Sequence, residues 1–237
     1  MIRPLAVTRE HLPAGIVAIP IRTRLVRAGD DLAELVAEAI AGTARSDDVI
    51  AVSETALAIA QGEFVVAEHV RPSRLAYALS RRAGALATVN QPESLQIVID
   101  RVGARKVLLS AFRHVIGRLR GRRGVFYECM GDAITAIDGY TGTLPPYERA
   151  IVFAPREPDA FACEVRARTG VACAVVDAND LERAKVLGAS PEVDREIVER
   201  ALLGNPHGNG DEQTPIVVLK WRGAGRNPLV RSAEPIA

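Results

Sequence analysis

Apolar and polar positions along this chain change their spacing several times, and each change marks an element. "GIVAIPIRTRLV", residues 15–26, reads as an extended segment that stops at "RAGDD". Leu32, Leu35, Val36 and Ile40 then fall on one helical stripe, with Asp30 or Asp31 at the N-cap and Glu34 three residues after Asp31, as in a capping box. "DDVIAVSE" and "EFVVAEHV" read as strands. Helices are expected from Ser73 through "RLAYALSRRAG" and through "PESLQIVIDRVG", each ending near a glycine.

Further on, "KVLLSAF" and "GVFYECMGDAITAID" read as strands separated by the basic turn "RHVIGRLRGRRG". "ERAIVFAP" as strand, "EPDAFACEVRARTG" as helix with proline at its start, and "VACAVVDAN" as strand make a βαβ unit, the pattern that signals parallel strands. Beyond it, Asp180 is placed to start another helix. "SPEVDREIVERALLG" reads as a helix, "NPHGNGDEQ" as a loop and "TPIVVLKW" as a strand. The polar stretch "RGAGRNPLVRSAEPIA", residues 222–237, is expected to lie on the surface or fray. Intermixed strands and helices make this a mixed α/β protein: one unit over 1–221, with room for two interleaved lobes, and a polar tail.

Composition changes that picture little. The 237 residues can bury a sizeable core; 48% are hydrophobic and 25% charged, as in a folded domain. Thirty basic against 29 acidic residues leave a formal charge of +1, so no global field recruits nucleic acid or membrane. No apolar run approaches the ~20 residues needed to cross a bilayer, and the N-terminus lacks the apolar core of a signal peptide. Three cysteines without a CxxC pair fit a reducing cytoplasm better than a disulfide framework or a zinc site.

The candidate chemistry lies in acids at strand edges. Asp138 ends "AITAID", Asp177 ends "ACAVVD" with Asn179 and Asp180 just beyond, and Asp211 and Glu212 precede "TPIVVL". Hard cations such as Mg²⁺ and Mn²⁺ take oxygen ligands of this kind, and phosphate and water can complete the site. The same acids also serve as ordinary turn residues, and spacing alone favours that reading. Arg113, Arg118, Arg120, Arg122 and Arg123 suit phosphate or carboxylate groups and equally suit a solvated face. Ser53 and Glu54 follow "VIAV", where they could meet a ligand or cap a helix. His114 and His207 have no partner at helical spacing. Neither a P-loop nor a glycine-rich dinucleotide fingerprint is present.

In order, "IPIRTRLVRAGDDLAELVAEAIAG", "DDVIAVSETALAIAQGE", "AITAIDG", "ACAVVDAND" and "DEQTPIVVLK" resemble the coenzyme F-420-0:L-glutamate ligase (gamma-glutamyl ligase) family, collinearly over about residues 16 to 221. The resemblance implies mixed sheets with flanking helices in an intertwined homodimer. It also implies a GTP- and Mg²⁺- or Mn²⁺-dependent enzyme that activates a carboxylate as an acyl phosphate and joins it to L-glutamate. By that likeness Asp138 and Asp177 hold metal and Gln213 falls near the site; the residues themselves add Ser53, Glu54, Asn179 and Asp180 as polar candidates and Arg122 or Arg123 as a clamp for the acid. Glu54 and Ile59 stand where the family has basic residues and Gln61 where it has an acid. That departure keeps an alternative open, a non-catalytic relative that binds a nucleotide or deazaflavin-like ligand as a sensor or partner.

Overall fold

The computed structural model describes residues 14–82, 90–122, 124–131, 137–140, 145–179, 182–208 and 212–231. The chain divides into two compact units: residues 1–63 with 155–237, and residues 64–154 inserted between them.

The first unit is built on a five-stranded sheet in the order β1-β8-β2-β6-β7. Its strands are β1 (Ile16–Ile21), β2 (Val49–Ser53), β6 (Ala172–Asn179), β7 (Arg183–Ala189) and β8 (Ile216–Trp221). β2 pairs in parallel with β6 and antiparallel with β8. These three strands read as nearly unbroken apolar runs because both faces are covered. Val49, Ala51, Ala172, Ala174, Val217 and Leu219 enter one core cluster, which Val198 and Leu202 close. By strand alternation Ile50, Val52, Cys173, Val175 and Val218 turn to the other face, and all are fully buried.

Helices α1 (Leu32–Ile40), α2 (Glu54–Ala60) and α7 (Pro158–Thr169) belong to this unit: α7 packs on β6 and β7, α2 on β2 and β6, and α1 on α7. Asp31 is the N-cap of α1 and accepts from the Glu34 N–H, while Asp30 holds the preceding turn by accepting from the Arg27 N–H and the Arg24 guanidinium. Bare backbone at Gly188 lets α7 lie directly on β7, since a Cβ there would meet the Pro158 carbonyl carbon at 2.3 Å.

The second unit carries a three-stranded antiparallel sheet in the order β3-β5-β4: β3 (Phe64–Val66), β4 (Ile137–Tyr140) and β5 (Ala150–Phe153). Helices α3 (Arg74–Ser80), α4 (Pro92–Val102), α5 (Ala104–Leu119) and α6 (Val125–Met130) accompany it. Leu95, Val98, Val107, Met130, Ile137 and Ile151 form its core, and Arg101 lies 4.2 Å over the Phe153 ring.

Several sequence expectations are corrected. "KVLLSAF" and the basic run after it as far as Leu119 form one helix, α5, because Val107, Ser110 and Gly117 recur at helical spacing and are buried, and Leu, Lys and Arg favour helix. "GVFYECM" is the short helix α6, and only the end of that stretch, from Ile137, is a strand. The expected βαβ unit is not a parallel pairing, since β5 joins the other sheet and β6 takes β2 as its parallel neighbour. After Asn179 the chain returns as strand β7 instead of a helix, its Lys185 paired across from Asp177. Helix α8 (Arg195–Ala201) is shorter than expected because Asp194 caps it and Val193 bridges to Val230. Of the two alternatives for the polar tail, the described part lies mostly at the surface, anchored by Leu229, which is fully buried and whose carbonyl accepts from the Asp194 N–H.

Among the described residues of the first unit one charged pair is buried. Lys220 on β8 donates to Asp48 at 2.7 Å and to the Thr43 carbonyl, linking the end of the sheet to the turn before β2. Lys220→Met leaves Asp48 buried without its cation and should cost about 3–5 kcal/mol of stability. Urea unfolding checks this, and the double change with Asp48→Leu should recover most of the loss.

Candidate functional site

The parallel register sets the carboxyl ends of β2 and β6 side by side. Ser53 pairs with Val176, so Glu54 and Asp177 each follow one residue later. β8 starts at this edge: Ile216 pairs with Val52, and the Ser53 N–H donates to the Pro215 carbonyl at 2.8 Å. β1 ends there too, and the Thr23 N–H donates to the carbonyl of Gln213, a residue held at φ 54°. Ser53, Glu54, Gln213, Asp177 and Asn179 therefore share one sheet edge, the position where open α/β sheets take ligands.

Asp177 is exposed at the end of a buried strand. The protein around it removes enough water to raise its carboxyl above the usual range, and Lys185 across the ladder works against that rise. The Ser53 side chain makes no cap bond to α2, although its backbone occupies the N-cap position. Asn179 is half-buried where the β6–β7 hairpin ends.

Of the other expected site residues, Arg122 lies just beyond α5 in the second unit and pairs with Glu128 at 3.0 Å. Asp138 is on β4 of the second unit, and its side chain lies outside what is described, as do Arg123, Asp180 and Asp211. Among the described residues no three His, Cys, Asp or Glu side chains gather as a metal-holding group. A hard cation at this edge fits Asp177 only in the sparse Mg²⁺ manner, with one or two carboxylates and the rest from phosphate and water.

The segment after β2, which is helix α2 and not the turn expected there, departs from the ligase pattern for visible reasons. Ile59 is buried in the core, where an unpaired cation would be costly. Gln61 donates to the Arg156 carbonyl at 2.9 Å and accepts from the Arg156 N–H at 2.7 Å. An ionised Glu at that position would keep the second bond and lose the first. Beside this clamp lies an open cleft of about 610 Å³ that Phe161, Glu157 and Glu164 also line.

His207, to which spacing along the chain gave no partner, finds one in the fold. It is buried in the loop that carries Gln213; its Nδ1 lies 3.1 Å from the Thr214 carbonyl, and the Thr214 hydroxyl donates back to the His207 carbonyl. The carbonyl fixes the proton on Nδ1, and Nε2 is buried without a partner. The signal available in sequence was only a His between Pro206 and Gly208.

With this geometry in place, the fold defines a mixed α/β protein with a polar edge on its larger sheet. The chain belongs to the F420-0:gamma-glutamyl ligase family, whose sequence profile matches residues 20–182. It is similar to the coenzyme F420:L-glutamate ligase of Methanopyrus kandleri, with 29% identity over 154 residues. That match covers 65% of this chain and 52% of the relative, so the chain spans about half the length of the curated protein it matches.

Burial pushes His207 down to about 4, from an ordinary 6.5. The unfolded chain therefore takes up the proton first. The stability that His207 contributes is complete above pH 6.5 and is lost as the pH falls toward 4, about 2–3 kcal/mol between pH 7 and 4.5. Denaturant midpoints across that range should fall in the wild type, and the fall should be smaller by this amount in His207→Gln.

Proposed function

We propose that the protein is a GTP- and divalent-metal-dependent amide ligase that adds L-glutamate to a carboxylate acceptor such as coenzyme F420-0. The observation that carries this reading is the shared edge of Ser53, Glu54, Asp177 and Gln213 at the carboxyl ends of β2 and β6, within a chain of the ligase family.

In this reading the acceptor carboxylate attacks the γ-phosphorus of GTP and GDP leaves. The glutamate amine then attacks the acyl carbon, phosphate leaves, and the amine proton passes to solvent. Asp177 would hold Mg²⁺ or Mn²⁺, with Asp138 as the second carboxylate implied by the resemblance. The cation supplies charge neutralisation for the phosphates. Ser53 and Asn179 would orient the nucleotide or acid by hydrogen bonds, and Lys185 opposite Asp177 adds positive charge near the transferring group. Arg122 and Arg123 are candidates for holding the acid. A homodimer in a cytoplasmic setting belongs to the same reading.

The buried Ile59 and the acid at Glu54, where the family carries basic residues, favour a second reading: a non-catalytic relative that binds nucleotide or a deazaflavin-like ligand. Release of GDP and phosphate that requires both the acid and L-glutamate decides for the ligase. Saturable nucleotide binding without turnover decides for the second reading.

Asp177→Asn should lower turnover at least about 100-fold, the usual scale for losing a group that stabilises developing charge. It should also abolish the rise in melting temperature that Mn²⁺ and GTP produce together, while the unliganded melt stays the same. An unchanged ligand-induced shift would remove Asp177 from the site.

A further inference from the structure

The formal charge of +1 averages two opposite units. Residues 64–154 hold 13 Lys and Arg against seven Asp and Glu, a charge of +6, while the rest of the chain holds 17 against 22, a charge of −5. Between Asp100 and Glu128 there is no acidic residue at all. The near-zero sum that argued against a membrane partner therefore hides a strongly basic unit.

α5 concentrates that charge around an unusual face. Val107, Ser110 and Gly117 point into the unit. On the opposite side Leu108, Leu109, Phe112, Val115 and Leu119 form a solvent-facing stripe, with Phe112 at 62% exposure and Leu119 at 84%. Lys106, Arg113 and Arg120, seven residues apart, run along one border of the stripe, and Arg118 lies on the other. None of these four has an acidic partner among the described residues. A stripe of this size on a protein surface marks something that covers it.

Three occupants compete. A second copy placing α5 against α5 would set these cations against their own kind, and like charges across an interface are costly. A second copy offering its acidic unit lacks a matching apolar surface, because Val17 is its one large exposed apolar residue among those described. A folded acidic partner would need a groove for a convex ridge. A fluid anionic interface accepts the ridge as it is, and basic helices with an apolar outer face lie in such interfaces.

We propose that α5 docks the protein peripherally on anionic lipid surfaces, its apolar stripe entering the headgroup boundary and its Lys and Arg meeting lipid phosphates. No helix among the described residues is long and apolar enough to cross the bilayer. The proposal is independent of the ligase reading.

The test is co-sedimentation of the full chain with phosphatidylcholine vesicles, with and without about 30% phosphatidylglycerol, each lysine or arginine near the surface adding several-fold to the affinity. Wild-type protein should bind the anionic vesicles at least about tenfold more tightly than the neutral ones, and about 0.5 M salt should erase most of that preference. Phe112→Ser with Leu119→Ser should weaken binding about tenfold, and Arg113→Glu with Arg120→Glu should abolish the preference, both with unchanged melting because all four residues are exposed. Equal binding to both vesicles, or variants that bind like the wild type, overturns the proposal. So does a self-association that Phe112→Ser with Leu119→Ser dissolves without lipid, which makes the stripe a contact between copies. Binding to a synthetic acidic amphipathic helix without binding to vesicles overturns it in favour of a protein partner.

Discussion

The parallel pairing of β2 with β6 is the constraint on which the rest of the first unit depends. It joins Val49–Ser53 to Ala172–Val176 across more than half the chain, and the whole second unit is inserted between the two strands. Closing so long a loop is entropically costly before any contact repays it, so the ladder must be strongly favoured once formed. Complete burial on both faces is what favours it: Ile50, Val52, Cys173 and Val175 pack one side, while Val49, Ala51, Ala172 and Ala174 pack the other. Because the register is fixed by this burial, so is the juxtaposition of Ser53 and Glu54 with Asp177 at the open end.

Polar groups inside this unit are few and mostly matched. Lys220 satisfies Asp48, Ser190 accepts from the Cys173 N–H, and Thr214 closes the loop over His207. Each leaves little freedom to the strand ends it ties. The unpartnered Nε2 of His207 is an exception, and it sits in the loop that also presents Gln213. Polar atoms buried without partners are uncommon, and they cluster where a protein gives up stability for another purpose.

The second unit follows a different logic. Its core is smaller, its sheet has three strands, and one of its helices keeps an apolar face outward among cations that have no acidic partner among the described residues. That face is left to solvent, whereas the acidic first unit turns nearly all of its described large apolar residues inward.

Much of the fold was legible in the residues themselves. Strands β1, β2, β6 and β8 follow from apolar runs bounded by turn residues, and α1 from its stripe and the Asp31 cap, because these signals are local. The family, too, was visible in the order of motifs from "IPIRTRLVRAGDDL" to "ACAVVDAND", and the profile match over residues 20–182 agrees. Tertiary structure alone decided which strands pair. β5 and β6 flank a helix in the pattern of a parallel unit, yet β5 joins the other sheet, since pairing depends on which surfaces bury each other and not on chain order. It also decided that residues 104–119 are helical, where short apolar runs leave helix and strand equally open. Local spacing determined which residue types stand at the strand ends; only long-range burial decided which of those ends meet.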